Sequence, residues 1–224
     1  MKEITAELAQ KFIENPESVY LGDYTSIEPD AAAILATYGS ELDDIEGLQL
    51  TLWEIVNLSV ESAEKLAKFR GRLEIGLKTL SFEVARALSA QEEPGVLDFC
   101  KLEELKLDAG KELCKHQGSM IDLGWVNNIT VDTAEELASY DGHLLLNGIT
   151  KVDEPVAKAL SQTKGCINLN GAYRESSESA LKILRDCEYV FLSASEMYGD
   201  SDDEEDWDTS FDFGWEAEYD DHEF

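Results

Sequence analysis

The stretch "LLLNGITKV" (Leu144–Val152) is followed after a short interval by the similar stretch "INLNGAYRE" (Ile167–Glu175). This near-repetition indicates that the chain is built from a repeated structural unit. Each stretch begins with a triplet that reads apolar, variable, apolar. Counting outward in both directions finds the same kind of triplet at a nearly constant interval. The triplets begin at Leu50, Leu73, Leu97, Ile121, Leu144, Ile167 and Val190. An earlier triplet, Tyr20-Leu21-Gly22, stands one longer step before the series.

The interior of each unit predicts a strand, a turn and a helix. An alternating triplet is typical of a strand that is buried on one face. A small residue follows eleven positions after the triplet and a large aliphatic residue three positions later, so both lie on one face of a helix. We expect Asp132, with Glu135 three residues on, to cap one of these helices and Asp153 to begin another.

A glycine ends several of the units, nineteen positions after the triplet. A glycine just after a helix is typical of a left-handed residue, which lets the chain turn back into the next strand. The glycines at this position are Gly71, Gly118, Gly142 and Gly165. Each unit is therefore predicted to be a strand, a turn, a helix and a glycine stop.

This repeated unit, in its length and in its order of strand and helix, resembles a leucine-rich repeat of the divergent bacterial type. A single unit cannot bury its apolar face, whereas stacked units share one core. The resemblance implies an α/β fold: a leucine-rich-repeat solenoid with short parallel strands on the concave face and helices on the convex face. It covers residues 20–198 as about seven to eight units, and implies that the concave sheet binds another protein. The asparagine ladder usual in the family is missing, since its column holds Ile55, Leu102, Val126 and Ile149.

The two ends of the chain fall outside the repeat pattern. Residues 1–19 carry Ile4, Leu8 and Phe12 at helical spacing, which predicts an amphipathic helix that caps the first unit. A helix that lies on a membrane surface is the alternative. Residues 199–224 form a C-terminal tail with 13 acidic residues and no Lys or Arg.

The acidic tail also contains aromatic residues, which are unusual in a segment of such charge. They are candidates for partner binding: Trp207, Phe211, Phe213, Trp215, Tyr219 and Phe224. Three interpretations remain open. The tail is a solubilising segment, a binding arm for a basic protein, or a cap that folds over the edge of the last strand.

The charge of the chain narrows the classes of partner. Its 224 residues include 48 acidic and 18 basic residues, a formal net charge of −30. Such a surface repels nucleic acid and anionic membranes and attracts basic proteins, so we expect no direct nucleic-acid or membrane partner. No apolar run approaches the length of a membrane span, and no secretory signal is visible. A cytoplasmic location is predicted, with reduced thiols at Cys100, Cys114, Cys166 and Cys187.

The central residue of each triplet is predicted to form a column on the concave sheet, and the residue after each triplet a second column that begins with Trp53. The first column is acidic on three successive units and apolar at its far end. The residues predicted to bind a partner are Trp53, Glu74, Asp98, Asp122, Leu145, Asn168 and Phe191. An ordinary solvated sheet is the alternative for this face. For Trp53, burial under the first long loop competes with exposure as an anchor.

No catalytic motif, metal site or cofactor is predicted, and we expect that the protein is not an enzyme. Cys114 and His116 could be half of a metal site, but a buried thiol explains Cys114 more simply. The leading hypothesis is a protein–protein interaction module that neutralises a basic protein, such as a toxin or nuclease, in the manner of an immunity protein or antitoxin. The alternatives are a chaperone or adaptor for nucleic-acid-binding proteins and an acidic mimic of DNA that inhibits a nuclease.

Overall fold

The structure is a computed structural model and describes residues 2–42, 45, 47–92 and 94–193. Within these residues the protein has an α/β fold in which short strands alternate with helices. The strands are β1 (Glu3–Ile4), β2 (Ser26–Ile27), β3 (Gln49–Leu52), β4 (Arg72–Ile75), β5 (Val96–Asp98), β6 (Met120–Asp122), β7 (His143–Leu145), β8 (Cys166–Asn168) and β9 (Val190–Phe191). The α-helices are α1 (Ala6–Glu14), α2 (Pro29–Leu35), α3 (Val60–Leu66), α4 (Phe82–Leu88), α5 (Leu107–Leu113), α6 (Val131–Leu137), α7 (Glu154–Leu160) and α8 (Glu178–Arg185).

Strands β3 to β9 form one seven-stranded parallel sheet whose strand order follows the chain. The register pairs Leu50 with Leu73 and continues in step, so each triplet lies beside the triplet of the next unit. A helix connects each strand to its neighbour, and successive helices pack against one another. The prediction of consecutive parallel strands alternating with helices is confirmed.

The first and third residues of the triplets face the helices, and we call this side of the sheet the inner face. Leu50 and Leu52 share one hydrophobic cluster with Ala63 and Leu66 of α3, and all four side chains are fully buried. The small residue lets the helix backbone approach the sheet, while the aliphatic residue fills the space beside it. The same positions recur along the stack, so a single core runs from β3 to β9.

The helix starts agree with the prediction at one site and differ at another. Asp153 caps α7, since its side chain accepts a hydrogen bond from the backbone N–H of Val156 at 3.0 Å. Helix α6 is capped by Thr130, whose hydroxyl accepts from the N–H of Thr133. The prediction of Asp132 as the cap is therefore wrong by two positions. A β-branched hydroxyl residue serves the same purpose, and Asp132 lies in the first turn, where its charge favours the helix dipole.

The glycines that end the units have a different physical role from the one predicted. Among the described residues, positive φ occurs at Gly39 and Gly47 and not at the unit-ending positions. A Cβ added to Gly118 would lie 2.2 Å from the carbonyl oxygen of Gly95, and one on Gly165 would lie 2.2 Å from that of Gly142. Glycine is required at Gly71, Gly118 and Gly165 because neighbouring turns stack too closely for a side chain, whereas at Gly142 the ring of Tyr140 occupies the space.

The N-terminal end differs from the other units. Strands β1 and β2 form a separate two-stranded parallel sheet, and α1 packs against α2. The early triplet does not form a strand, because Leu21–Asp23 is a 3₁₀ helix that lies beside β3. Among the described residues, no helix combines the length and apolar character needed to cross a bilayer.

Candidate functional site

The side of the sheet opposite the helices, which we call the outer face, carries the central residues of the triplets. The register places them side by side in one column, as predicted: Thr51, Glu74, Asp98, Asp122, Leu145, Asn168 and Phe191. Another column, different from the one predicted after the triplets, lies two residues before the central residues on β3 to β8: Gln49, Arg72, Val96, Met120, His143 and Cys166. The sequence reasoning missed this column, although strand alternation alone would have placed it on the outer face.

Arg72 joins the two aspartates at the centre of the outer face. Its Nη2 donates to Oδ2 of Asp98 at 2.6 Å and to Oδ2 of Asp122 at 3.0 Å, and its Nε also donates to Asp98 at 3.0 Å. Asp98 is only 7% exposed. The three residues lie on neighbouring strands β4, β5 and β6, so the stacking of the units brings them together. We call Arg72, Glu74, Asp98 and Asp122 the central cluster.

Glu74, the third carboxylate of the central cluster, has neutral partners. Gln49 donates its side-chain N–H to Glu74 at 2.6 Å, and the hydroxyl of Thr51 donates to the same oxygen at 3.2 Å. The central cluster therefore contains three carboxylates and one cation. Two negative charges are left without a positive counterpart inside the cluster if all three carboxylates are ionised.

Burial raises the pKa of the central aspartates because the protein interior disfavours their charged form. The pKa of Asp98 rises to about 7 through burial first and the charge of Asp122 second, against the lowering effect of Arg72. Burial also raises the pKa of Asp122, although the N–H of Gly124 donates to it at 2.8 Å and acts in the other direction. Near neutral pH Asp98 therefore holds, for part of the time, a proton that an isolated aspartate would release.

The outer face is uncharged beyond β6. Leu145 is 5% exposed but lies outside the hydrophobic cluster of the core, which contains its neighbours Leu144 and Leu146. Asn168 is buried, and its side-chain oxygen accepts from the N–H of Asn170 at 3.2 Å. Phe191 is partly exposed at the end of the column. The column thus passes from charged to polar and apolar side chains along the stack.

Two tryptophans are exposed where the strands end. Trp53 follows β3 directly and is 43% exposed, which decides between the two alternatives in favour of exposure. Trp125 follows β6 by three residues and is 48% exposed. The loop that carries Trp53 is joined to the loop after β5 by an ion pair between Glu54 and Lys101. We call Trp53, Glu54, Lys101 and Trp125 the tryptophan edge; sequence reasoning found only its first member.

A shallow depression on another part of the surface contains Cys114, His116, Ser119 and Asp141. Burial raises the pKa of the Cys114 thiol to about 11, and its Sγ donates to the carbonyl of Glu136. Burial lowers the pKa of His116. A thiol held protonated beside a neutral imidazole is not an activated nucleophile, because the thiolate is the reactive form.

Metal-binding geometry is absent from the described part of the chain, where no three His, Cys, Asp or Glu side chains are arranged to hold an ion. Asp98 and Asp122 of the central cluster bind Arg72 instead, and Glu74 binds Gln49 and Thr51. All four cysteines are unpaired thiols. The predicted tail residues lie outside the described residues: Trp207, Phe211, Phe213, Trp215, Tyr219 and Phe224.

The sequence matches no protein-family model. It also resembles no curated protein closely enough for a match. The chemistry of the outer face and of the tryptophan edge therefore rests on their own residues.

Proposed function

We propose that this protein is a non-catalytic leucine-rich-repeat solenoid that binds and neutralises a basic protein through the outer face of its sheet. The central cluster is the observation that supports this function best. Two of its three carboxylates share one guanidinium and Glu74 binds neutral partners, on a face whose side chains lie outside the hydrophobic core. A basic side chain of a partner would supply the missing positive charge.

The energetic argument concerns uncompensated charge. Asp98 and Asp122 share the single cation of Arg72, so ionisation of both leaves one buried negative charge uncompensated, which costs roughly several kcal/mol even after local relaxation. A fold that needed only a stable sheet would be better served by neutral side chains in the positions of Asp98 and Asp122. Charges retained at such a cost are expected where a partner completes the electrostatic balance.

Long-range electrostatics favours the same class of partner. The formal net charge of −30 attracts positively charged proteins and raises their rate of encounter, while it repels nucleic acid. A toxin, a nuclease or another nucleic-acid-binding protein has the required basic surface. An immunity-protein or antitoxin role, in the cytoplasm, is the form of this function that we propose.

Affinity capture with two charge-matched variants tests the proposal. The first variant neutralises the outer face with Glu74→Gln, Asp98→Asn and Asp122→Asn. The second neutralises three exposed carboxylates on helices with Glu64→Gln, Glu83→Gln and Glu135→Gln. Both change the formal net charge by three, and Asp98 carries only part of its charge near neutral pH, so a greater loss for the outer-face variant reports on the place of the charge and not on its amount.

We expect the basic partner captured by the unaltered chain to bind the outer-face variant at least about tenfold more weakly, since buried charge pairs at interfaces are worth about 2–5 kcal/mol each. The helix variant should lose only the affinity that comes from the net charge of the chain. Binding measured at several salt concentrations gives the size of that contribution. Equal losses for the two variants, or a captured partner that is acidic, would overturn the proposal.

A further inference from the structure

We propose that a single arginine side chain of the basic partner binds Glu74 and Asp98 together, through one oxygen of each carboxylate. This inference rests on the proposed function, because it takes the partner to be basic and to bind the outer face. It goes further by naming the side chain of the partner and the two residues that receive it. Asp122, the third carboxylate of the central cluster, is not part of the contact.

Glu74 and Asp98 each use only one of their two carboxylate oxygens. Oε2 of Glu74 accepts both of its hydrogen bonds, from Gln49 at 2.6 Å and from Thr51 at 3.2 Å. Oδ2 of Asp98 accepts both of its bonds from Arg72, at 2.6 and 3.0 Å. Among the described residues, no donor reaches Oε1 of Glu74 or Oδ1 of Asp98. Each carboxylate therefore keeps one acceptor for a ligand, and neither residue is completely enclosed, since 9% of Glu74 and 7% of Asp98 is exposed.

The two unused acceptors belong to neighbouring residues of one column. The register pairs Glu74 on β4 with Asp98 on β5, and neighbouring strands lie about 4.8 Å apart. Asp122 on β6 differs, because both of its oxygens are engaged. Its Oδ1 accepts from the N–H of Gly124 at 2.8 Å and its Oδ2 accepts from Arg72 at 3.0 Å. The acceptors left for a ligand thus lie side by side at the β4–β5 end of the central cluster.

The central cluster is held from one side and bordered by small residues on the other. Gln49 and Arg72 bind the carboxylates from the column two residues earlier on the strands. A Cβ added to Gly124 would meet one heavy atom within 4 Å, Oδ1 of Asp122 at 3.0 Å, so the space beside this end of the cluster is open. The residues two positions after the three carboxylates are Gly76, Cys100 and Gly124. A side chain of the partner can approach from this side.

The charges around Asp98 leave room for a second cation. Arg72, Glu74 and Asp122 are the charged groups that act on it, and burial followed by the charge of Asp122 raises the pKa of Asp98 to about 7 in spite of Arg72. The thiol of Cys100 responds to the same field, because burial and then the charges of Glu74 and Asp98 raise its pKa to about 12. A second guanidinium would lower the pKa of Asp98 and displace its proton.

The protein itself shows how a guanidinium holds two neighbouring carboxylates of this column. Arg72 bridges Asp98 and Asp122, which are register partners on β5 and β6. Glu74 and Asp98 have the same relation one strand earlier. A guanidinium offers several N–H donors in a planar fork and is more weakly hydrated than an ammonium, so it loses less on entering a shielded site. Arginine therefore fits this pair of acceptors better than lysine does.

Titration of the full chain with two short peptides tests the inference. Both are blocked pentapeptides of serine and threonine, one with a central arginine and the other with a central lysine. Binding is followed at pH 8, where Asp98 is mostly ionised, through the backbone amide signals in nuclear magnetic resonance spectra. We expect about threefold or stronger preference for the arginine peptide, with the largest shifts at Glu74, Asp98 and Cys100.

Isosteric variants locate the contact within the central cluster. Glu74→Gln and Asp98→Asn keep the shape of the side chain and remove its charge, and each should weaken the arginine peptide at least about fivefold. Asp122→Asn is the matched control inside the cluster and should weaken it less than about twofold, because both oxygens of Asp122 are already engaged. Glu64→Gln, at an exposed position of α3, gives the effect of one unit of net charge. The amide spectrum shows whether each variant is folded.

The pH dependence of peptide binding gives a second readout. Asp98 must release its proton to accept the arginine, so the unaltered chain should bind the peptide up to about tenfold more weakly at pH 6 than at pH 8. Asp98→Asn should lose most of this dependence, because it has no proton to release. A dependence that persists in Asp98→Asn contradicts the inference.

The inference also fails if the two peptides bind equally, or if Asp122→Asn loses as much affinity as Glu74→Gln and Asp98→Asn. The proposed function has a separate outcome. When the triple outer-face variant loses its basic partner but the peptides do not differ, the function stands and the arginine contact falls. When the partner is insensitive to the outer-face carboxylates, the function falls whatever the peptides do.

Discussion

On the inner face of the sheet, the residues on either side of each central position are almost all leucine or isoleucine, and they are buried against the helices. On the outer face the central position changes from Thr51 through three acids to Leu145, Asn168 and Phe191. Both faces belong to the same strands and share the same register. The inner face is uniform because every unit must fill the same space between sheet and helix, and packing tolerates little change in volume.

The outer face does not have to fill that space, so packing of the core does not determine which residues lie there. Its central cluster places two aspartates and one arginine where each is largely shielded from water. Buried ion pairs contribute little net stability compared with apolar residues of similar size. The contrast therefore favours the outer face as the place of functional specificity and the inner face as the source of stability.

Two adjacent leucines of β7 should show this contrast most strongly. Leu144 is 1% exposed on the inner face and Leu145 is 5% exposed on the outer face. We expect Leu144→Ala to lower the free energy of unfolding by about 2–5 kcal/mol, because it leaves a cavity in the core. Leu145→Ala should cost less, about 2 kcal/mol, since this side chain lies outside the hydrophobic cluster of the core and mainly its transfer from water is lost. Urea denaturation measures both, and equal losses would mean that the outer face is packed like a core.

Removal of the shared cation tests the outer face alone. Arg72→Met should lower the free energy of unfolding at pH 8 by about 2–4 kcal/mol, since Asp98 and Asp122 are left without their counter-charge. At pH 5 the loss should be smaller, because Asp98, whose pKa in the folded protein is about 7, is then protonated and needs no counter-charge. Arg185→Met, which breaks an exposed ion pair with Glu178, is the control and should change little at either pH. A loss for Arg72→Met that is independent of pH would contradict the ionised cluster.

A weaker effect concerns the pH dependence of stability. The pKa of Asp98 is about 7 in the folded protein and 3.8 in the absence of interactions, so the folded state binds more protons between these values. Stability from this group therefore falls as pH rises from about 4 to about 7 and is constant above that. Asp98→Asn should flatten the decrease between pH 5 and pH 7 by about 1–2 kcal/mol, because the proton is shared with Asp122. Denaturation of both proteins at several pH values gives this difference, and identical slopes would show that Asp98 is ionised throughout.

Much of the fold follows from local patterns in the chain. The alternation within the triplet and the nearly constant interval between triplets predict the strands of the sheet, their parallel register and the central column of the outer face. The early triplet at Leu21 fails the same reasoning, since the chain forms a 3₁₀ helix there. The helix cap at Thr130 was missed because several residues near the start of α6 have suitable side chains, and spacing alone does not choose among them.

The chain's own pattern is enough to identify the core residues and the column that faces away from them, because both depend on a period of two within a strand and on the length of one unit. The ion pairs and hydrogen bonds of the outer face form only when the units stack. Arg72 reaches Asp98 and Asp122 across 26 and 50 residues of chain, and Gly118 and Gly165 are needed because stacked turns meet. Such contacts depend on several units at once, so no local pattern in the chain encodes them.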